Sequence, residues 1–197
     1  MNSSPGLRER KKAATRQALH EAALRLAVER GLDNVTVEAI ADAVNVHRRT
    51  FSNYFEGKED AVLYGDEQRL LTLLDLVRER PPEESAWTAL RHALHDFFPQ
   101  LGEPDPQWMA ETRLVRKHPS LLGRQLATIA RLERDLGEAL TERTGDQPAD
   151  PIRARVMAAS FLTGMRLASQ LWLDEPRTRS LIDIADDVLD QISARFE

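Results

Sequence analysis

The 197-residue chain contains no cysteine. That excludes disulfides, thiolate metal sites and a cysteine nucleophile, and it fits a cytoplasmic protein. It also lacks a run of about 18 apolar residues, the length a membrane span needs. Its first apolar stretch is short and broken by charge, unlike a signal peptide, so no membrane association is expected. No stretch alternates polar and apolar residues long enough to make a convincing strand. Internal repeats and low-complexity segments are absent. There is no glycine-rich phosphate loop and no nucleophile elbow, and the abundant Asp and Glu fall into no acid–base frame. His92, His95 and Asp96 lie together, and an i, i+3 pair of imidazoles is able to bind a metal. No third ligand is evident, however, and an exposed polar helix face explains them equally well. The expectation is an all-α protein, not an enzyme, with no cofactor and no metal.

What is present is a 42% hydrophobic fraction, ample for a core, and an uneven charge. Residues 1–58 hold ten Lys and Arg against seven Asp and Glu, whereas the remainder holds 17 against 25. A basic head on an acidic body suits a chain that meets a polyanion at one end only.

Residues 1–6 read as a loose tail, followed by a strongly basic stretch (Arg8, Arg10, Lys11, Lys12, Arg16) that suits a phosphate or minor-groove arm or stays solvated. From Thr15 the pattern turns helical. Leu19, Ala22, Ala23, Leu26 and Ala27 recur at three- and four-residue spacings, and Gly31 is a natural stop. A short helix is expected over Val37–Val44 with Thr36 as its cap. Asn45 supplies a left-handed turn, and another short helix runs from His47 to Tyr54. A long helix covers Lys58–Glu79 and ends at Pro81-Pro82. Further helices are expected over Glu83–Phe98, Pro106–Lys117, Pro119–Thr144, Asp150–Leu173 and Pro176–Phe196, about nine in all.

Residues 36–58 carry the chemistry. Ala39, Ala43 and Val46 let two short helices cross closely, while Ile40, Phe51 and Phe55 fill a small core. The second helix then exposes His47, Arg48, Arg49, Thr50, Ser52, Asn53 and Tyr54. That face is hydrogen-bonding or cationic throughout, as reading base edges and phosphates in a major groove requires. Thr36 and Lys58, each at a helix start, are placed to grip phosphates. Thr36 also serves as a cap, His47 as a cap or a contact, and Tyr54 as a packing residue or a phosphate contact.

Here the sequence resembles the TetR family of regulators. The matching residues are Thr36-Val37, Ile40-Ala41, Val46, Thr50-Phe51, Tyr54-Phe55 and Lys58-Glu59, behind an amphipathic helix ending at Gly31, with spacing that agrees across residues 15–63. The sequence departs from the family pattern at Asn45, where Gly is frequent, at His47, where Ser is, and at Ser52, where an aromatic is. The resemblance implies an all-helical homodimer. Residues 1–57 would form the three-helix DNA-binding domain and residues 58–197 a ligand-sensing and dimerisation domain. The partners implied are a palindromic double-stranded DNA operator and a small-molecule effector, in a repressor released when the effector binds. The alternative is a helical protein-interaction scaffold without specific DNA binding.

Within the body, the last two helices are the natural dimer element. Among the residues of the Asp150–Leu173 helix, the small Ser160, Thr163 and Gly164 permit close approach, and Val156, Leu167, Ile184, Val188 and Ile192 supply apolar surface to a four-helix bundle. Trp87, Phe97, Phe98, Trp108, Met109, Phe161, Met165 and Trp172 are candidate linings of a cavity between helices, although for any one of them ordinary core is the first reading. Arg113, with Arg116 and Arg166, offers an anchor for an acidic group. The expected effector is mostly apolar, with an acyl or aromatic part. The C-terminal half is similar, more remotely, to regulators suspected of binding acyl-coenzyme A-like ligands.

Overall fold

A computed structural model describes residues 6–101, 106–143, 150–174 and 179–193. The expected tail up to Pro5, the expected helix end at Thr144, and the expected start at Pro176 and end at Phe196 of the last helix lie outside them. Among the described residues there are nine α-helices and no strand. They are α1 (Leu7–Arg30), α2 (Val37–Ala43), α3 (Arg48–Ser52), α4 (Lys58–Glu79), α5 (Ala86–Leu101), α6 (Pro106–Lys117), α7 (Pro119–Thr141), α8 (Pro151–Asp174) and α9 (Leu181–Ser193), with a 3-10 turn at Leu32–Asn34.

The basic stretch expected as a loose arm is instead the first turns of α1. Lys, Arg, Glu and Ala are strong helix formers, so the helix extends beyond the part that buries an apolar face. Thr15 Oγ1 donates to the Lys11 carbonyl at 3.0 Å within that extension. Leu19, Ala22, Ala23, Leu26 and Ala27 form the buried stripe, as their spacing predicts. Gly31 ends α1 at φ 79°, a conformation that favours glycine.

Local chemistry sets the other boundaries. Ser85 starts α5, its Oγ accepting from Thr88 N–H at 3.2 Å. Asp150 Oδ1 accepts from Ile152 N–H at 3.0 Å where α8 begins. Ser180 and Asp183 cap each other's backbone N–H groups reciprocally, each at 3.2 Å. This capping box opens α9 at Leu181. At the C-terminal end of α4, the buried guanidinium of Arg143 donates to the carbonyls of Val77 and Glu84 at 3.2 Å each, and to that of Pro81. It thereby gives the Val77 carbonyl a donor in place of the N–H that Pro81 lacks, and ties the Pro81–Glu84 turn to the end of α4.

The chain forms two compact units, and they do not divide at the expected 57/58 boundary. One takes in the chain up to Gln68 together with Pro106–Leu126; the other takes in the rest. The first has a continuous core in which Leu19, Leu26, Leu32, Ile40, Phe51 and Phe55 join Leu114, Val115 and Leu121. Residues far along the sequence, from α6 and the start of α7, complete the packing of the N-terminal helices. In the second unit α8 packs along α9. Gly164 lies where a Cβ would come within 3.0–3.2 Å of Ile192 and Leu189, so this small residue serves the approach of α8 to α9 within one chain.

Candidate nucleic-acid interface

Helices α2 and α3 are joined by a tight turn built on one residue. Asn45 has φ 56°, the positive value among the described non-glycine residues. Val46 N–H donates to the Ala41 carbonyl at 3.0 Å and Asn45 N–H to the Asp42 carbonyl at 3.1 Å. This is the Schellman closure of α2, with asparagine doing the work usually given to glycine. The turn lets Ile40 and Phe51 become fully buried against one another's helices, with Phe55 behind them.

That packing decides which side chains are left outside. His47, Arg48, Arg49, Ser52 and Asn53 are exposed, Thr50 and Tyr54 half-buried. These residues share α3 and its two ends, forming one polar and cationic surface. Arg48 Nε meets Glu38 Oε1 of α2 at 3.1 Å, with both side chains more than half exposed. Ser52 Oγ donates to the Arg48 carbonyl at 3.4 Å. Thr36 caps α2, its Oγ1 accepting from Ala39 N–H at 3.1 Å, and remains exposed.

Three features differ from the sequence expectation. His47 occupies the cap position of α3 but makes no side-chain cap hydrogen bond, so of its two expected roles the capping one is not the one adopted. The helix itself is shorter than His47–Tyr54, because Asn53 and Tyr54 N–H groups bond three residues back in a closing turn. Lys58 is half-buried, and its Nζ donates to the carbonyls of Leu32 and Val35 at 2.8 and 3.0 Å. Its ammonium ties the start of α4 to the loop before α2 and has one N–H left for a phosphate.

Arg16 was legible only as one more basic residue. Its Nη2 donates to the Tyr54 carbonyl at 3.2 Å, and its guanidinium lies 5.4 Å from the Phe55 ring centroid and 4.9 Å from that of Tyr64. It thus clamps α1 over the end of the helix-turn-helix by cation–π contact. The signal was its spacing: Arg16 lies three residues before buried Leu19, on the same face of α1.

The candidate effector residues are divided between the two units. Trp87, Phe97, Phe161 and Trp172 are buried in the second unit, with Phe98 and Met165 half-buried. Trp87 and Phe161 meet edge to face at 6.5 Å, Phe97 and Phe98 at 6.0 Å, as core aromatics do. Trp108, Met109 and Arg113 are on α6, within the first unit, where Met109 is buried and Arg113 exposed. The two imidazoles considered for a metal turn to different carboxylates. His92 Nδ1 lies 3.1 Å from Glu84 and His95 Nε2 3.0 Å from Asp186 of α9. No helix among the described residues is long and apolar enough to cross a membrane.

Comparison with known proteins agrees with this geometry. Residues 19–63 match the family described as bacterial regulatory proteins, tetR family, and residues 84–197 match the MftR C-terminal domain. The chain is 31% identical over 201 residues to the HTH-type transcriptional regulator TcmR of Streptomyces glaucescens, with 99% of this chain and 85% of that protein covered. Among solved structures, FadR of Thermus thermophilus, a TetR-family transcriptional repressor in complex with lauroyl-CoA, superposes with a TM-score of 0.58 at 23% identity, covering 90% of this chain and 92% of that one. The fatty acid degradation regulator FadR of Bacillus halodurans gives a TM-score of 0.62 at 18% identity, covering 99% of both chains. At those identities the solved structures bear on the fold. The family itself rests on the matched segments and the TcmR alignment, and on that basis the chain belongs to the TetR family of transcriptional regulators: it is a DNA-binding transcription factor, not an enzyme.

Proposed function

We propose that the chain acts as a homodimeric repressor that binds a palindromic operator and is released by a small, mostly apolar effector. The observation that carries this reading is the surface of α3. Its apolar residue Phe51 is fully buried while His47, Arg48, Arg49, Ser52 and Asn53 stand in solvent. In the proposed complex Arg48, Arg49 and Asn53 read base edges, and Thr50 touches a thymine methyl. Thr36, His47, Ser52, Tyr54 and the remaining N–H of Lys58 hold phosphates and fix the register.

One such helix offers too little contact for high specificity, and symmetry supplies a second. The exposed apolar residues of α8 support a partner copy there. Ile152, Val156, Leu167 and Leu171 are between 39% and 73% exposed, and their spacing sets them along one helical face. The apolar residues of α9, by contrast, are largely consumed within the chain: Leu181, Ile184 and Leu189 are buried.

The effector enters the body and displaces α4, which is continuous from Lys58 to Glu79. The two recognition helices then move off the spacing of about one DNA turn that a palindrome demands. Release requires the effector to favour the unmatched state by a few kcal/mol. Because the Thermus FadR structure carries lauroyl-CoA, acyl-CoA thioesters of graded chain length are the first effectors to try.

The test is selection of binding sites from random duplex DNA with the purified protein, read by sequencing. An enriched palindrome is the expected result, and it provides the duplex for effector-release assays. No enrichment from a folded protein would favour the helical scaffold instead.

A further inference from the structure

Deep in the first unit, two ionisable side chains that the DNA interface does not use meet across a glycine. His20 of α1 is 2% exposed and Glu111 of α6 is 1% exposed. His20 Nδ1 lies 2.8 Å from the Ala61 carbonyl oxygen of α4. A carbonyl only accepts, so Nδ1 carries the hydrogen and Nε2 is the atom that gains or loses a proton. Nε2 lies 3.3 Å from the side-chain amide of Gln107, one turn before Glu111. Glu111 Oε1 accepts from the backbone N–H of Asp66 at 3.0 Å. A Cβ at Gly65 would stand 2.8 Å from His20 Nε2 and 3.2 Å from Glu111 Oε2. The titrating nitrogen and the second carboxylate oxygen therefore converge on the same bare stretch of α4, which only glycine leaves open.

We propose that His20 and Glu111 form a positioning pair that sets α6 against α1 and α4 and thereby makes operator binding depend on the protonation of the pair. Around the pair stand Tyr64, edge-on to His20 at 5.7 Å, Asp66, whose backbone N–H donates to Glu111 and whose carboxylate accepts from Gln125 at 2.8 Å, and Arg16, one turn earlier on α1 with its guanidinium over Tyr64. Burying net charge is costly unless it is compensated. A proton gained or lost here changes the charge of a cluster that joins three helices, two of which frame the helix-turn-helix. Gln107 can follow the change by turning its amide, presenting oxygen to an N–H or nitrogen to a lone pair. It also lines an open groove of about 670 Å³ with Ala18, Ala22 and Val28, so the Gln107 side chain touches both His20 and that groove.

The experiment uses the full chain and its selected duplex. Affinity is measured by fluorescence anisotropy between about pH 5.5 and 8.5 for the wild type, Glu111→Gln and His20→Asn, alongside nitrogen-15 NMR of the histidine side chains. Any pH dependence of the DNA face itself is common to all three proteins. The pair is expected to add at least about threefold across the range in the wild type alone, and Glu111→Gln is expected to move the His20 titration. Equal pH slopes in wild type and variants, or a His20 titration indifferent to Glu111→Gln, would overturn the proposal. A wild type that binds no duplex would refute the operator reading instead, and the NMR titration would still decide the pair.

Discussion

Arg48 and Glu38 are bound to each other across the helix-turn-helix, guanidinium Nε to carboxylate at 3.1 Å, on a surface that is otherwise solvent. The pair orients Arg48 from α2 and leaves its two terminal nitrogens for a partner. That geometry leads to a prediction for each residue. Arg48→Ala removes a group proposed to read bases and should weaken binding to the selected operator by about 1–3 kcal/mol, while binding to unrelated DNA changes less. Glu38→Gln keeps the shape and loosens the tether, so its effect should be smaller and confined to specific DNA. Competition anisotropy with specific and scrambled duplexes checks both.

Asn45 should be replaceable by glycine at little cost and by little else. At φ 56° a β-branched residue is strained, and the left-handed conformation costs about 1–2 kcal/mol for ordinary L-residues. Asn45→Gly is expected to unfold at nearly the wild-type urea midpoint and Asn45→Val well below it. Equal midpoints would mean that the turn relaxes.

Arg16 is expected to matter for stability before it matters for DNA. Arg16→Met retains much of the aliphatic stem and removes both the hydrogen bond to Tyr54 and the cation–π contact. The loss should be about 1–2 kcal/mol. Arg16→Lys should not restore it, because an ammonium lacks the flat face that lies over two rings. Urea unfolding of the three proteins is the measurement.

Glu84 predicts a stability change in acid. Its hydrogen bond from Arg80 and its contact with His92 hold its pKa down to about 2. A carboxylate with a depressed folded-state pKa contributes stability that is complete above its unfolded value near 4.5 and is lost as pH falls towards 2. The pair is partly solvated, so the contribution is about 1 kcal/mol or less. Wild type and Glu84→Gln should differ most at pH 5 and converge near pH 2.

The exposed stripe of α8 should report on assembly. Leu167→Glu places a charge on a face that a second copy is proposed to cover, and sedimentation velocity should then show monomers. Operator affinity should fall with it, since each half-site would have to be bound alone. A dimer of unchanged stability would move the interface elsewhere.

Much of this was legible from the sequence, and the reasons are local. The stripe of α1, the turn at Asn45, the cap at Thr36 and the exposure of α3 all follow from spacing and side-chain chemistry within a few residues. What escaped was long-range. Nothing near Lys58 announces that its ammonium will turn to Leu32 and Val35. Nothing near Arg143 announces that it will close the end of α4. His20 and Glu111 lie 91 positions apart, and each reads singly as a surface polar residue of an amphipathic helix. The helical start of α1 at Leu7 was missed for a different reason: apolar periodicity marks where a helix is buried, not how far it extends.

The assembly of the first unit from two separated stretches of chain also bears on how such regulators can be recombined. A chimaera made by grafting residues 1–57 onto a foreign body would leave Leu114, Val115 and Leu121 behind and open the floor beneath α1. A cassette carrying its own α6 and the first turns of α7 would keep that floor. If DNA reading resides in this unit, the transferable module is discontinuous in the gene, and sensor exchange by a single crossover after α3 should yield insoluble hybrids where an exchange that keeps both stretches together yields working ones.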